Sequence, residues 1–294
     1  MDRYEIDGFT GQVCKTGVFL AKDKKFGKQV VLKLFCHLSP MNRESLLHTG
    51  AQLQALRHPH VVQFLDCGVD EEANVYYVQE YLDGKPLNDL VPPGQGLSFE
   101  EAWPIVSKLA DALQAVHSLG VLHLDLKPAN ILMVKGEPKI IDFGALKSEE
   151  GFFQGTPGYV APEIIRGEIA TVRSDIYSFG ALLAYMLTGQ KLYSGDSPSH
   201  ILAHQLNYEA ACLSNEPVGV VITRATRMNP NRRYASVEEM QKPLALYAHE
   251  RGLSQKERSE NLVQSTLGRC VMVSVMGTLI LATIGIYYFL LSSI

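Results

Sequence analysis

Residues 4–35 alternate apolar and polar positions in the manner of strands. The clearest runs are Val18-Phe19-Leu20-Ala21 and Gln29-Val30-Val31-Leu32-Lys33-Leu34, separated by a charged turn that ends in Gly27. Residues 41–57 then read as a helix, with Leu46, Leu47, Leu53 and Leu56 as its packing positions. A further strand runs from Val75 to Tyr81. After the loop Pro92-Pro93-Gly94-Gln95-Gly96, Ser98-Phe99-Glu100-Glu101 has the form of a capping box. Val106, Leu109, Ala110, Leu113 and Val116 follow at helical spacing and predict a core stripe. Ile131-Leu132-Met133 and Lys139-Ile140-Ile141 are strand-like. Ser174-Asp175 opens a helix that is apolar nearly all round (Ile176, Phe179, Leu182, Leu183, Met186, Leu187) and ends at Gly189; such a helix belongs in a core. From 250 to 268 the chain turns polar and charged. Val271 to Leu291 is a 21-residue stretch without a charge, long enough to span a hydrocarbon layer of about 30 Å.

The chain has 294 residues, enough for one large or two small globular units, and a hydrophobic share of 46% is ample for a core. A net charge of −4 is too small to suggest nucleic acid as a partner. The cysteines Cys14, Cys36, Cys67, Cys212 and Cys270 are dispersed and odd in number, which fits a reducing compartment better than a disulfide framework. No cleavable signal is expected, because Met1-Asp2-Arg3-Tyr4-Glu5 is not followed by an apolar run.

The chemistry concentrates in His123-Leu124-Asp125-Leu126-Lys127-Pro128-Ala129-Asn130, followed by Asp142-Phe143-Gly144. These segments resemble the catalytic loop and the metal-binding motif of eukaryotic-type (Hanks-type) serine/threonine protein kinases. Moving the γ-phosphoryl group of ATP to a hydroxyl needs a carboxylate beside the attacking oxygen, and oxygen ligands for magnesium on the phosphates. The resemblance makes Asp125 the first, Asn130 and Asp142 the second, and Lys127 a positive charge on the transferring group. It implies an α+β, two-lobed fold: a small antiparallel β lobe with one helix and a large, mainly helical lobe. A C-terminal transmembrane helix would be added to these.

In the first lobe the resemblance makes Lys33 the ATP lysine and Glu80-Tyr81-Leu82 the hinge that meets adenine. Gly11, Val18 and Leu132 complete the ATP-binding set, and Gln79 gates the back of the pocket. Of the three glycines of the family's phosphate loop, Gly11 remains, with Val13 and Thr16 at the other two places. Glycine lets backbone lie close over phosphate, so the substitutions predict a loop held higher or stiffer and a weaker cradle. The glutamate that normally holds the strand lysine is replaced by Thr49; Glu44 points well off that helix face, and Gln52 could offer Lys33 an amide oxygen. Gly50 within the helix predicts a loosely held element. In the second lobe, Asp175 should hold the catalytic-loop backbone, Arg233 should pair with Glu163, and Gly155-Thr156-Pro157-Gly158-Tyr159 should form the substrate-docking loop. Leu124, where many kinases carry arginine, cannot pair with a phosphorylated segment.

The expected organisation is a kinase domain at 4–250, a juxtamembrane linker at 251–268 and a membrane anchor at 269–294. The expected activity is slow transfer from ATP, with Mg²⁺ or Mn²⁺, to Ser or Thr of protein substrates. A scaffold pseudokinase that binds nucleotide or partner proteins is the alternative, and a small-molecule kinase a more distant one. Lys256, Arg258 and Arg269 precede the apolar run and Tyr287-Tyr288-Phe289 lies near its far end. That bias predicts a single pass with the kinase domain on the cytoplasmic side.

Overall fold

The computed structural model describes residues 2–13, 16–143, 155–210, 213–214 and 216–253. The alternating N-terminal segments form a five-stranded antiparallel sheet from β1 (Tyr4–Val13), β2 (Thr16–Asp23), β3 (Lys28–Phe35), β4 (Phe64–Val69) and β5 (Val75–Glu80), in the order β1-β2-β3-β5-β4. Gly27 closes the β2–β3 turn at φ 66°, a left-handed conformation that glycine adopts without a Cβ penalty. One face buries Tyr4, Ala21, Val30, Leu32 and Val78 together. The other buries Phe35, Phe64 and Tyr77, whose rings meet edge to face.

Helix α1 (Pro40–Ala55) packs on β4 and β5. Leu46 and Leu53 are buried, whereas Leu47 and Leu56 are half-buried. The expectation of a loosely held helix at Gly50 is corrected here. A Cβ at Gly50 would lie 2.7 Å from Tyr77 Cε1 and 3.0 Å from Cys67 Cβ, so the glycine allows close contact between helix and sheet. The Tyr77 hydroxyl also donates to the Leu46 carbonyl at 2.5 Å. Beyond α1, residues 58–62 run onto the second lobe: Ile140 N–H donates to His60 O at 2.8 Å and Val62 N–H to Ile140 O at 2.9 Å.

The second lobe carries a three-stranded sheet of β6 (Lys85–Pro86), β7 (Ile131–Val134) and β8 (Glu137–Ile140), and the helices α2 (Phe99–Ser118), α3 (Pro162–Ile165), α4 (Val172–Thr188), α5 (Pro198–Asn207), α6 (Pro217–Ala225) and α7 (Val237–Glu250). The capping box of α2 is present, with Ser98 Oγ accepting from Glu101 N–H and Glu101 accepting from Ser98 N–H. The predicted stripe of α2 is buried throughout, and α4 packs between α2 and α6 before ending at Gly189 with φ 67°. Residues from Ala248 onward form a second unit, described as far as Leu253. Among the described residues no helix is long and apolar enough to cross a membrane; 271–291, expected as a span, lies outside them.

Two buried carboxylates join these helices to the loops. Glu163 on α3 receives both Nη atoms of Arg233, at 2.6 and 2.7 Å, and the Ser174 hydroxyl at 2.8 Å, as the family resemblance implies for the pair. Asp175 on α4 is fully buried. It accepts from His123 N–H and Leu124 N–H, each at 2.8 Å, and from His117 Nε2 at 2.7 Å. Complete burial pushes the Asp175 carboxyl up, but the hydrogen bond and charge of His117 and the backbone N–H of His123 outweigh it and hold the group below its ordinary value. The same carboxylate secures Leu124 at φ 64°, a left-handed conformation that costs a non-glycine residue about 1–2 kcal/mol.

Gly50→Ala should gain about 1 kcal/mol of helix propensity and lose about 1–3 kcal/mol to overpacking against Tyr77. The expected net result is a melting temperature about 2–4 °C lower; a rise would contradict the packing role. Asp175→Asn keeps the shape and removes the charge, and should cost about 3 kcal/mol at neutral pH by breaking a buried charged network. Because the folded pKa is depressed, this stabilisation is present above the unfolded value of about 4 and is lost as pH falls through the lower folded value. In urea titrations the gap between the two proteins should therefore narrow on approaching about pH 3, and a constant gap would refute the charge's role.

Candidate functional site

The loop anchored by Asp175 carries Asp125 next. Asp125 N–H donates to His123 Nδ1 at 3.3 Å, and His123 Nε2 reaches Ile141 O at 2.9 Å, which places the ring proton on Nε2. The buried His123 ring thus ties the loop to the chain just before Asp142, and it packs on Phe143 at 4.7 Å between centroids. Around the Asp125 carboxylate three side chains converge. Oδ2 accepts from Lys127 Nζ at 2.6 Å and Asn130 Nδ2 at 3.0 Å, while Oδ1 accepts from the Thr156 hydroxyl at 2.8 Å. Lys127 Nζ also donates to Thr156 Oγ1 at 2.9 Å, closing a triangle of carboxylate, ammonium and hydroxyl. Asn130 Nδ2 holds the Asp125 carbonyl as well, at 2.8 Å, so its amide oxygen is the atom left for another ligand.

Lys33 on β3 reaches Asp142 directly, Nζ to Oδ1, at 2.5 Å. Burial pushes the Asp142 carboxyl up, but the Lys33 charge and hydrogen bond outweigh that and hold it below its ordinary value. Asp142 has φ 67°, and the following Phe143 is fully buried beside Phe64 at 6.0 Å. The expected contact from Gln52 to Lys33 is not made. Gln52 Nε2 instead donates to the Leu119 carbonyl in the second lobe at 2.6 Å. That carbonyl belongs to the residue closing α2, an orphan acceptor that the amide satisfies. Glu44 is exposed, and Lys33 bonds to the Asp142 carboxylate and the Phe143 carbonyl, with no carboxylate of α1 among its partners in the described residues.

The expected nucleotide-binding residues Gly11, Val18, Glu80 and Leu132 lie on β1, β2, β5 and β7, and Leu82 follows β5. By strand register Val18 and Val31 share a sheet face with Lys33, Gly11 pairs with Val18, and Leu132 lies on β7. Val18, Val31 and Leu132 are half-buried. Glu80, expected to meet the base through backbone, is held in place by its own polar groups. Its carboxylate takes Lys139 at 2.6 Å and Gln63 N–H at 3.0 Å, and its own N–H goes to Gln63 O at 3.0 Å, so neither group is free for a ligand. The N–H and C=O of Leu82 make no hydrogen bond among the described residues. The docking loop is built on Gln205, which no sequence signal marked: its buried amide accepts from Gly158 N–H at 2.8 Å and donates to Val160 O at 3.1 Å. The hydrogen bond from Thr156 to Asp125 and the His117 contact with Asp175 also arise between segments far apart in the chain, where local pattern carries no signal.

Asn130 and Asp142 offer one amide oxygen and one carboxylate, hard donors that suit Mg²⁺ or Mn²⁺. Among the described residues no three His, Cys, Asp or Glu side chains converge on a metal site. The donor set therefore fits an ion that shares its coordination with phosphate oxygens and water. Gly144 and the chain to Gln154 lie outside the described residues.

A protein kinase domain model matches residues 4–245. The chain is 30% identical over 256 residues to a probable serine/threonine-protein kinase of Clostridium perfringens, covering 81% of this chain and 37% of that protein. It is 31% identical over 265 residues to the serine/threonine-protein kinase PknB of Mycolicibacterium smegmatis, covering 83% and 42%. With a probable PknB of Lactococcus lactis it shares 32% over 264 residues, again 83% and 42%. The chain thus spans about two fifths of the length of these curated relatives. With the site geometry and a domain match over most of its length, the chain belongs to the protein kinase family.

Proposed function

We propose that this chain transfers the γ-phosphoryl group of ATP to Ser or Thr hydroxyls of proteins. One observation carries the reading: Asp125 accepts a hydrogen bond from a threonine hydroxyl at 2.8 Å with Lys127 Nζ alongside. A substrate hydroxyl needs the same pair of groups, a carboxylate to orient it and take its proton and a cation beside the transferring phosphoryl. Three relatives bearing the name serine/threonine-protein kinase support the choice of acceptor.

Asp125 orients and deprotonates the hydroxyl, and Lys127 neutralises charge on the group in transit. Lys33 serves the phosphates, and Asn130 with Asp142 hold Mg²⁺ or Mn²⁺. When bound, the metal supplies positive charge to the phosphate oxygens. Val18, Leu132, Gly11, Leu82 and the chain at Glu80 receive the nucleotide. Transfer is slow in this reading, because Val13 and Thr16 replace two loop glycines and no α1 glutamate holds Lys33 toward the phosphates. Lys33 must also exchange its contact with Asp142 for one with nucleotide.

In the same reading 4–250 is the kinase domain, 251–268 a linker and 269–294 an anchor whose span is 271–291, with the kinase domain on the cytoplasmic side. The uninterrupted apolar length and the basic residues before it support this.

Titrating ATP with Mg²⁺ into variants, alongside single-turnover transfer, tests the roles. Asp125→Asn should lower transfer by about 10²–10⁴-fold and leave nucleotide binding largely intact. Asp142→Asn should weaken metal-dependent binding as well as transfer. Lys33→Met should cost about 10²-fold or more in transfer if its charge is preorganised at the phosphates. Nucleotide binding that is indifferent to metal, with no transfer by the wild type, would establish the scaffold alternative instead. For the anchor, full-length protein expressed in cells should resist carbonate extraction while residues 1–262 stay soluble; full-length chain in the supernatant would refute it.

A further inference from the structure

Of the ten residues of α5, Gln205 alone is buried, with no exposed surface. A buried amide is ordinarily paired, and here both ends of the group close on the docking loop. Oε1 accepts from Gly158 N–H at 2.8 Å, and Nε2 donates to Val160 O at 3.1 Å, with the Tyr177 hydroxyl at 3.3 Å. These contacts flank Tyr159 within a turn that the backbone also closes, Tyr159 N–H and Val160 N–H donating to Thr156 O at 3.0 and 3.2 Å. Thr156 opens the turn, and its hydroxyl is bonded to Asp125 and Lys127. The turn is thus fixed by the catalytic loop at one end and by α5 at the other.

The residue types show why a clamp is needed. Gly158 stands at φ 96°, a conformation that L side chains rarely adopt, and a Cβ there would lie 3.1 Å from Lys191 Cδ. Glycine permits that conformation without favouring it over others, so a partner must set the direction of its N–H. A carboxamide carries an acceptor and a donor together, which suits one backbone N–H and one C=O. Methionine or leucine would fill the same volume and take a partner away from two backbone groups in a buried place. In the apolar cluster of Ala161, Tyr177 and Tyr193, α5 takes part among the described residues only through the half-buried Ile201. The amide is therefore the main tie between this helix and the loop.

We infer that Gln205 is a positioning residue for the protein acceptor. It touches neither nucleotide nor acceptor; it acts through the turn 156–160, holding the docking loop in the form that an acceptor chain meets. A loop already ordered before binding spares the acceptor the cost of ordering it, so the amide strengthens binding of protein and not of ATP. Lys33, Asn130 and Asp142 make no contact with it, which separates its effect from that of the nucleotide site. The inference rests on the reading of the chain as a protein kinase and adds the residue that prepares its acceptor surface.

The test is steady-state transfer from ATP with Mg²⁺ to dephosphorylated casein by the full-length protein, together with calorimetric titration of ATP. Gln205→Met should raise KM for casein about tenfold or more, while kcat stays within about threefold, the mark of lost acceptor binding and not of lost chemistry. Affinity for ATP should stay within about twofold of wild type, which also shows that the variant is folded. Gln205→Asn keeps an amide in the buried place and withdraws it by one carbon; it should show the same split at smaller size and serves where the methionine variant does not fold. A casein KM unchanged in a variant that binds ATP normally overturns the inference. Parallel loss of casein KM, kcat and ATP affinity overturns it too, since a merely structural role gives that pattern. Either result leaves the kinase reading standing, whereas absence of transfer by wild type removes both.

Discussion

The arrangement of the site depends first on one buried carboxylate. Asp175 accepts a hydrogen bond from His117 Nε2 and gathers two backbone N–H groups of the loop that carries Asp125. Those bonds offset the left-handed backbone at Leu124 and so set the direction in which the next residue, Asp125, leaves the loop. His123 extends the constraint to Ile141, one residue before Asp142. A helix core, the loop and the strand end before Asp142 are therefore held as one hydrogen-bonded body, which leaves little conformational freedom to Asp125 and Asn130.

The sheet lobe reaches the same body by different means. Many kinases couple the strand lysine to α1 through a glutamate; here α1 has no such group at Thr49 and is positioned by contact. Gly50 seats it on Tyr77, the Tyr77 hydroxyl takes the Leu46 carbonyl, and Gln52 takes the Leu119 carbonyl. Lys33 is left to Asp142 alone among carboxylates of the described residues. The position of α1 and the state of Lys33 are consequently set by separate interactions, so movement of one need not switch the other.

Much of this was legible in the chain. The strand runs, the capping box at Ser98, the buried stripe of α2 and the apolar α4 follow from periodicity, because burial on one face or all round imposes it. Asp125, Asn130 and Asp142 stood out because the motifs that carry them resemble those of the protein kinases. The errors came where a local rule met tertiary contact. Gly50 reads as the mark of a loosely held helix until the ring of Tyr77 is placed against it. Gln52 has the helical phase to meet Lys33 and is drawn instead to the unpaired carbonyl of Leu119. Gln205 and His117 carried no signal at all, since their partners are fixed by the fold and not by neighbours in sequence.

Competence of the Asp125 site for phosphoryl transfer is tested most directly by a single-turnover reaction. The full-length protein is mixed with γ-labelled ATP, Mg²⁺ and a generic protein substrate, and the products are hydrolysed for phosphoamino-acid analysis. The site as read here predicts label on phosphoserine or phosphothreonine, slowly formed and lost in Asp125→Asn. Metal-dependent binding of ATP with no labelled amino acid, at enzyme in excess over nucleotide, would contradict it.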